Sequence, residues 1–186
     1  MNEGLIPRRY AKALYEVASE RGQAEMLYDS MRALADAAVS HPELARTLAN
    51  PYVGDADKRR LLETAAGLPA QAASGSTFAD WMRVLVENHR TGMAADIARA
   101  YIDCYRAQRG IYPVRVTSAA PLGADESKRM RALIQSHIGP DATMEYEERV
   151  DPALIGGFAI DIASERLDAS VRARLDNLRL NILKKQ

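Results

Sequence analysis

The spacing of apolar residues changes once along this 186-residue chain, near Gly110, and that change narrows the folds open to it. Upstream, apolar side chains recur every three or four positions, the period of helices packed on one another. Downstream, Tyr112, Val114 and Val116 alternate with other residues, as they do in a strand. A chain divided in this way reads as an α+β protein. It has a helical first domain over residues 1–108 and a smaller mixed domain over residues 109–186.

Six helices account for the first part. Ile6, Tyr10, Ala13, Leu14, Val17 and Ala18 form a stripe on the first, with Pro7 in its opening turn and Gly22 at its end. The second runs from about Ala24 to Val39 and stops at His41-Pro42. A short third covers Glu43–Leu48 and ends at Asn50-Pro51. The fourth starts after Asp55 or Asp57, either of which can cap it, and carries Leu61, Leu62 and Ala65. Residues 70–76 are small and polar, a loop by composition. The fifth helix spans about Thr77–His89. The sixth starts near Thr91, with Met93, Ile97, Tyr101 and Cys104 in register, and stops at Gly110. The expected first domain is therefore a six-helix bundle.

The second part reads β-α-β-β-α. Its first strand, around Val114, contains Pro113, which suits a strand start or a sheet edge. A helix from about Asp125 to Ile138 presents Met130, Leu133, Ile134 and Ile138. Met144, Tyr146 and Val150 mark a second strand, and Phe158, Ile160 and Ile162 a third. A last helix runs from about Ser170 to Leu183.

Composition removes several functional classes. Twenty-five basic and twenty-five acidic residues cancel, whereas a dedicated nucleic-acid binder carries a basic excess. One cysteine excludes an internal disulfide framework or a multi-cysteine metal site and fits a reducing compartment. His41, His89 and His137 lie at no motif spacing from carboxylates, and no serine elbow or phosphate-binding glycine loop is present. No apolar run approaches the roughly 20 residues that span a bilayer. The expectation is a soluble, non-enzymatic protein without cofactor or metal, reaching a membrane only through partners. Cys104, on an apolar helical stripe, is expected to be a buried, inert thiol.

Three constellations remain. On the fifth helix, Phe78, Met82, Leu85 and Val86 fill one side, Trp81 and Val84 widen the apolar surface, and Asn88 continues that second side. Such a helix is either central or covers a partner. Asp151-Pro152 initiates a turn, and Gly156-Gly157 permits either a bulge or close backbone packing. Phosphate binding is disfavoured because the glycines run into a strand rather than a helix. Asp168 and Ser170 suit the cap of the last helix. That helix carries Arg172, Arg174, Arg179, Lys184 and Lys185, a solvated basic face or a contact for an acidic or amphipathic partner. The acidic Glu145, Glu147 and Glu148 are candidates to face part of it or to repel a wrong partner.

Several stretches, in order, resemble the delta (OSCP) subunits of F-type ATP synthases. They are Arg9-Tyr10-Ala11-Lys12-Ala13-Leu14-Tyr15; Asn50-Pro51 with Lys58, Leu61 and Leu62 downstream; and Met82-Arg83-Val84-Leu85-Val86-Glu87-Asn88-His89-Arg90. Val116-Thr117-Ser118-Ala119-Ala120-Pro121-Leu122, Val150 to Phe158, and Leu167 to Leu175 complete the set. The resemblance spans nearly the whole chain, although the loop at Gln71–Ser76 adds nothing to it. It implies a stator subunit of a rotary, proton-translocating ATP synthase, peripheral on the cytoplasmic face of a bacterial inner membrane. In that family the first and fifth helices form a groove for the N-terminal helix of an alpha subunit. Tyr10, Ala13, Leu14, Val17, Trp81, Val84 and Asn88 are the corresponding candidates. The peripheral-stalk b (or b and b-prime) subunits would meet the last helix, at Arg172, Arg174, Leu175 and Arg179. Asp151, Pro152, Gly156, Gly157, Asp168 and Ser170 belong to the structural signature. The alternative is a nucleic-acid module using the basic last helix, which predicts steeply salt-dependent binding.

Overall fold

The computed structural model describes residues 4–68, 75–140, 142–163 and 165–176. The chain is a helix-rich α+β protein that divides into two compact units, Met1–Gln108 and Arg109–Gln186.

The first unit contains α1 (Leu5–Glu20), α2 (Ala24–Ser40), α3 (Glu43–Ala49), α4 (Asp55–Ala65), α5 (Thr77–Glu87) and α6 (Ala94–Arg109). α1 packs against α2 and α5, α2 against α3 and α4, and α4 against α5. The core draws Leu14 from α1, Met31 and Leu34 from α2, Leu62 from α4, Leu85 from α5 and Ile97 and Tyr101 from α6. Each such side chain contributes roughly 1.5–3 kcal/mol by leaving water. Several polar groups brought inside are paired. Tyr101 donates its hydroxyl proton to the Ala24 carbonyl at 3.1 Å, and Thr91 donates to the Leu48 carbonyl at 2.6 Å. Gln23, in the turn between α1 and α2, accepts from both the backbone N–H and the hydroxyl of Thr77, at 2.9 and 2.7 Å. That pair fixes where α5 begins, and Ser76 Oγ caps it by accepting from Ala79 N.

Helix ends differ from the sequence reading in three places. Gly54, not an aspartate, is the N-cap of α4, and Asp55 and Asp57 lie in its first turn. There they complement the positive helix end without a capping bond. α5 stops at Glu87 rather than His89, because His89 takes a left-handed φ of 55°. A 3-10 turn, Thr91–Met93, precedes α6.

The second unit is a four-stranded sheet in the order β2-β1-β3-β4. β1 (Ile111–Ser118) runs parallel to β2 (Thr143–Val150) through the crossover helix α7 (Ala124–Ile138). β3 (Phe158–Ile162) and β4 (Glu165–Asp168) add antiparallel. Val114, Val116 and Ile160 point to one face and pack with Ile134 of α7, surrounded by Met130, Ile138, Met144 and Tyr146. Leu133, expected in this face, is exposed instead.

Two further expectations fail here. β4 is a fourth strand absent from the β-α-β-β-α reading. All four of its residues are exposed, so it has no buried face to create an alternating pattern. β1 is central despite Pro113. The Pro113 carbonyl accepts from Ala163 N at 3.0 Å, and the ladder with β3 starts one residue later, at Val114. A strand residue's N–H and C=O point to the same side, so the N–H that proline lacks falls at the mouth of that ladder.

The last helix is helical over 171–176, and its continuation to Leu183 lies outside the described residues. Among the described residues, no helix is long and apolar enough to cross a membrane. Both outer strands carry charge: Glu145, Glu147, Glu148 and Arg149 on β2, Glu165 and Arg166 on β4.

Candidate functional site

α1 and α5 lie side by side and antiparallel, joined by a polar link at each end. Near the start of α1, the Tyr10 hydroxyl accepts from Arg90 Nη1 at 3.0 Å, and that guanidinium stands 5.7 Å from the ring centroid. At the other end, Arg21 Nη1 donates to Asp80 Oδ2 at 2.7 Å. Arg83 Nη2 donates to Asp80 Oδ1 at 3.0 Å. The bond from Arg21 is the main reason the Asp80 carboxyl is held below the usual range. Tyr10 and Arg21 are separated along the α1 axis by roughly 16 Å at 1.5 Å per residue.

Between these links each helix divides into a buried and an open strip. On α1, Pro7, Ala11, Leu14 and Ala18 face inward. Tyr10 is half-buried and Ala13 exposed, while Val17 keeps 39% of its surface. On α5, Trp81, Met82 and Leu85 are buried, while Val84 keeps 38% and Asn88 is exposed. Val17 lies one turn in from Arg21, and Val84 one turn in from Asp80. The antiparallel register therefore brings the two valines to the same stretch of the seam. Asn88 Nδ2 donates to the Val84 carbonyl at 2.7 Å, closing the end of α5 with its own side chain.

Of the seven groove candidates, Tyr10, Ala13, Val17, Val84 and Asn88 are reachable from solvent. Leu14 and Trp81, 8% and 4% exposed, belong to the unit's own core. Trp81 Nε1 is buried with no hydrogen-bond partner among the described residues, a cost of about 1–3 kcal/mol. The polar links were not anticipated. Their partners lie 59 and 80 positions apart, and only the pairing of α1 with α5 brings them together.

The opposite flank of α1 forms a second groove with α6, of about 800 Å³, lined by Arg8, Lys12, Glu16, Asp96, Arg99 and Asp103. Cys104 also lines it and is half-buried rather than fully enclosed. Burial is the main influence raising its thiol above the ordinary range, so little thiolate forms near neutral pH.

In the second unit the signature residues fasten a loop. Asp151 N–H donates to the Ser118 carbonyl at 2.8 Å, and Asp151 Oδ1 accepts from Ala153 N at 2.9 Å. Pro152 then starts a 3-10 turn, Pro152–Leu154, whose Leu154 is buried. The Gly156 carbonyl accepts from Val171 N at 2.9 Å. Gly157 has a φ of 78°, and a Cβ there would sit 2.5 Å from the Ala169 carbonyl oxygen. The glycine pair thus serves close backbone packing. Between these fastenings, Ile155 takes a φ of 66°, unusual for a β-branched residue, and is 68% exposed.

Asp168 Oδ1 accepts from Ser170 N at 3.0 Å, and Ser170 Oγ caps the last helix by accepting from Ala173 N at 3.1 Å. Bonds from Ser170 are the leading causes that lower the Asp168 carboxyl. Arg172, Arg174 and Leu175 are exposed, and Arg179 lies outside the described residues. Glu147 pairs locally among the described residues, which leave out the basic residues of the last helix beyond position 176. Arg149 and Arg115 donate to Glu147 at 2.8 and 3.0 Å and hold its carboxyl low, because all three share the outer face of β1 and β2.

The family described as "ATP synthase delta (OSCP) subunit" matches residues 6–182. The ATP synthase subunit delta of Myxococcus xanthus is 36% identical over 177 residues, covering 94% of each chain. That of Parabacteroides distasonis is 32% identical over 183 residues, covering 98% of each. A chain in a cryo-EM structure of the Toxoplasma gondii mitochondrial ATP synthase hexamer superposes with a TM-score of 0.67. It is 24% identical, with 95% of this chain and 97% of that chain covered, a likeness of fold. The nucleic-acid alternative finds no support in these matches.

Proposed function

The chain belongs to the ATP synthase delta (OSCP) family, and we propose that within the synthase it is a non-catalytic joint, its first unit gripping the catalytic head and its second the peripheral stalk. It is a stator subunit of an F-type ATP synthase, peripheral to the membrane part of that complex. Torque between rotor and stator requires that the head be held, and holding calls for slow dissociation rather than chemistry. Two units on two partners supply a high effective concentration, so moderate contacts make a durable link.

In this reading residues 1–108 close as a six-helix bundle whose α1 and α5 receive the N-terminal helix of an alpha subunit. Tyr10, Ala13, Val17, Val84 and Asn88 meet the guest, while Leu14 and Trp81 support them from the core. Residues 109–186 meet the stalk b (or b and b-prime) subunits through Arg172, Arg174, Leu175 and Arg179. The site is the cytoplasmic face of a bacterial inner membrane, consistent with relatives from Myxococcus and Parabacteroides. Proton translocation belongs to the assembly and no cofactor is needed.

The observation that carries the reading is the open strip of Ala13, Val17 and Val84 on two packed helices, where water would otherwise face apolar surface. The test is Ala13→Asp and Val84→Asp in the full chain, with calorimetry against an alpha-subunit N-terminal peptide. A carboxylate desolvated by the guest should weaken binding roughly tenfold or more. Both positions are exposed, so unfolding should shift by no more than about 0.5 kcal/mol. Unchanged affinity in both variants removes the seat.

A further inference from the structure

The α1–α5 seam ends in positive charge at both limits, and neither charge is neutralised within its own cluster. Arg90 is held by the Tyr10 hydroxyl and ring face, both uncharged, and so keeps its full charge. At the other limit Arg21 and Arg83 share the single carboxylate of Asp80, leaving one positive charge over. The side chains there remain accessible, at 45% for Arg21 and 60% for Arg83. Glu20, on α1, and Glu87, one turn after Arg83 on α5, are exposed, and neither forms an ion pair with either cluster among the described residues.

We infer that Arg90 and the Arg21–Asp80–Arg83 cluster act as end-stops for the docked helix, selecting an amphipathic guest with carboxylates about three turns apart and fixing its register along the seam. This rests on reading α1 and α5 as a helix seat. The spacing follows from geometry. The α1 residues that anchor the two clusters, Tyr10 and Arg21, are separated by roughly 16 Å of backbone rise, about eleven helical residues, and eleven residues turn a helix through three revolutions and some 20°. Two carboxylates at that separation lie on one edge of the guest, one for each end-stop, with the apolar face between them over Ala13, Val17 and Val84. A guest slipped by one turn would lose both contacts, one carboxylate passing beyond its end-stop and the other moving onto apolar surface. Because the guanidiniums stay partly solvated, the effect is discrimination rather than great affinity.

The experiment uses the full-length protein and three synthetic amphipathic helical peptides of identical apolar face. Two positions eleven residues apart carry glutamate, glutamine or lysine. Calorimetry at low salt should rank them glutamate, glutamine, lysine, with about three- to thirtyfold between the glutamate and glutamine forms, narrowing at high salt. A fourth peptide with glutamates only four residues apart, shorter than the seven-position interval from Arg83 to Arg90, should lose most of that advantage. Combined Arg83→Glu and Arg90→Glu should invert the ranking towards lysine. Arg83, Arg90 and Ala13 are all exposed, and circular dichroism would verify the fold. Equal binding of the three forms, with Ala13→Asp still weakening them all, overturns the end-stops and leaves the seat standing. Failure of every peptide to bind, or indifference to Ala13→Asp, overturns the seat itself.

Discussion

Gly157 and Ile155 are two residues apart and hold unusual backbone angles for opposite reasons. Gly157 lies where any side chain would strike the Ala169 carbonyl, so its identity is dictated by packing. Gly157→Ala should destabilise the chain by about 2–4 kcal/mol, since it combines a left-handed φ with a clash against backbone that cannot yield. Ile155 meets no such wall and is mostly solvated. Ile155→Gly should therefore be near neutral, the relief of strain offsetting the extra freedom of the unfolded chain, within about 1 kcal/mol. Urea unfolding of the two variants checks the contrast, and equal losses would show that the strain does not reside at Ile155. The glycine pair is visible in the sequence, and its place before a strand already favours close packing. The strain at Ile155 is not visible, because an isoleucine beside glycines looks like ordinary strand material. Trp81 is a similar case: its helical spacing is legible, but only the packed unit decides that it is covered.

Among the elements, α5 was ambiguous in sequence because apolar residues surround most of it. The structure divides them, sending Phe78, Trp81, Met82, Leu85 and Val86 inward and leaving Val84 out. That division depends on the helix beside it, which periodicity within α5 cannot specify. β4 escaped notice for the complementary reason, since a strand exposed along its length has no apolar period to detect. Carboxylates tie several of these elements together. Asp80 joins α5 to α1, Glu147 joins β2 to β1, and Asp168 holds the approach to the last helix. Each has a folded-state value lowered by its partners, so each contributes stability that is fully present above the ordinary carboxylate range. That contribution is lost as pH falls through the lowered values, below about 4. Thermal unfolding should accordingly be flat from pH 7 to about 5 and fall below 4, and Asp80→Asn should reduce the acid-side fall. A stability that declined between pH 7 and 5 would point to other groups.

For the whole molecule, the decisive link is Gly110, the only residue between α6 and β1. It takes a φ of 62°, and no atom lies within 4 Å of where its Cβ would be. In the proposed joint, so short a connection keeps the second grip close once the first has formed. Inserting about twenty glycine and serine residues there should speed dissociation of the head–stalk assembly on the order of tenfold. Affinity for an alpha-subunit peptide alone should not change, and a pull-down time course against calorimetry separates the two. The boundary was legible in the sequence because the apolar period changes at Gly110. The roles proposed for the two units rest on the ordered resemblance to a family, for no local cluster of residues declares them. The charged outer strands carry a last consequence. A sheet whose open borders are lined with Glu145, Glu147 and Glu148 on one side and Glu165 and Arg166 on the other resists stitching onto a copy of itself. Two such sheets meeting border to border would set carboxylate rows against each other, which discourages strand pairing between molecules at high concentration.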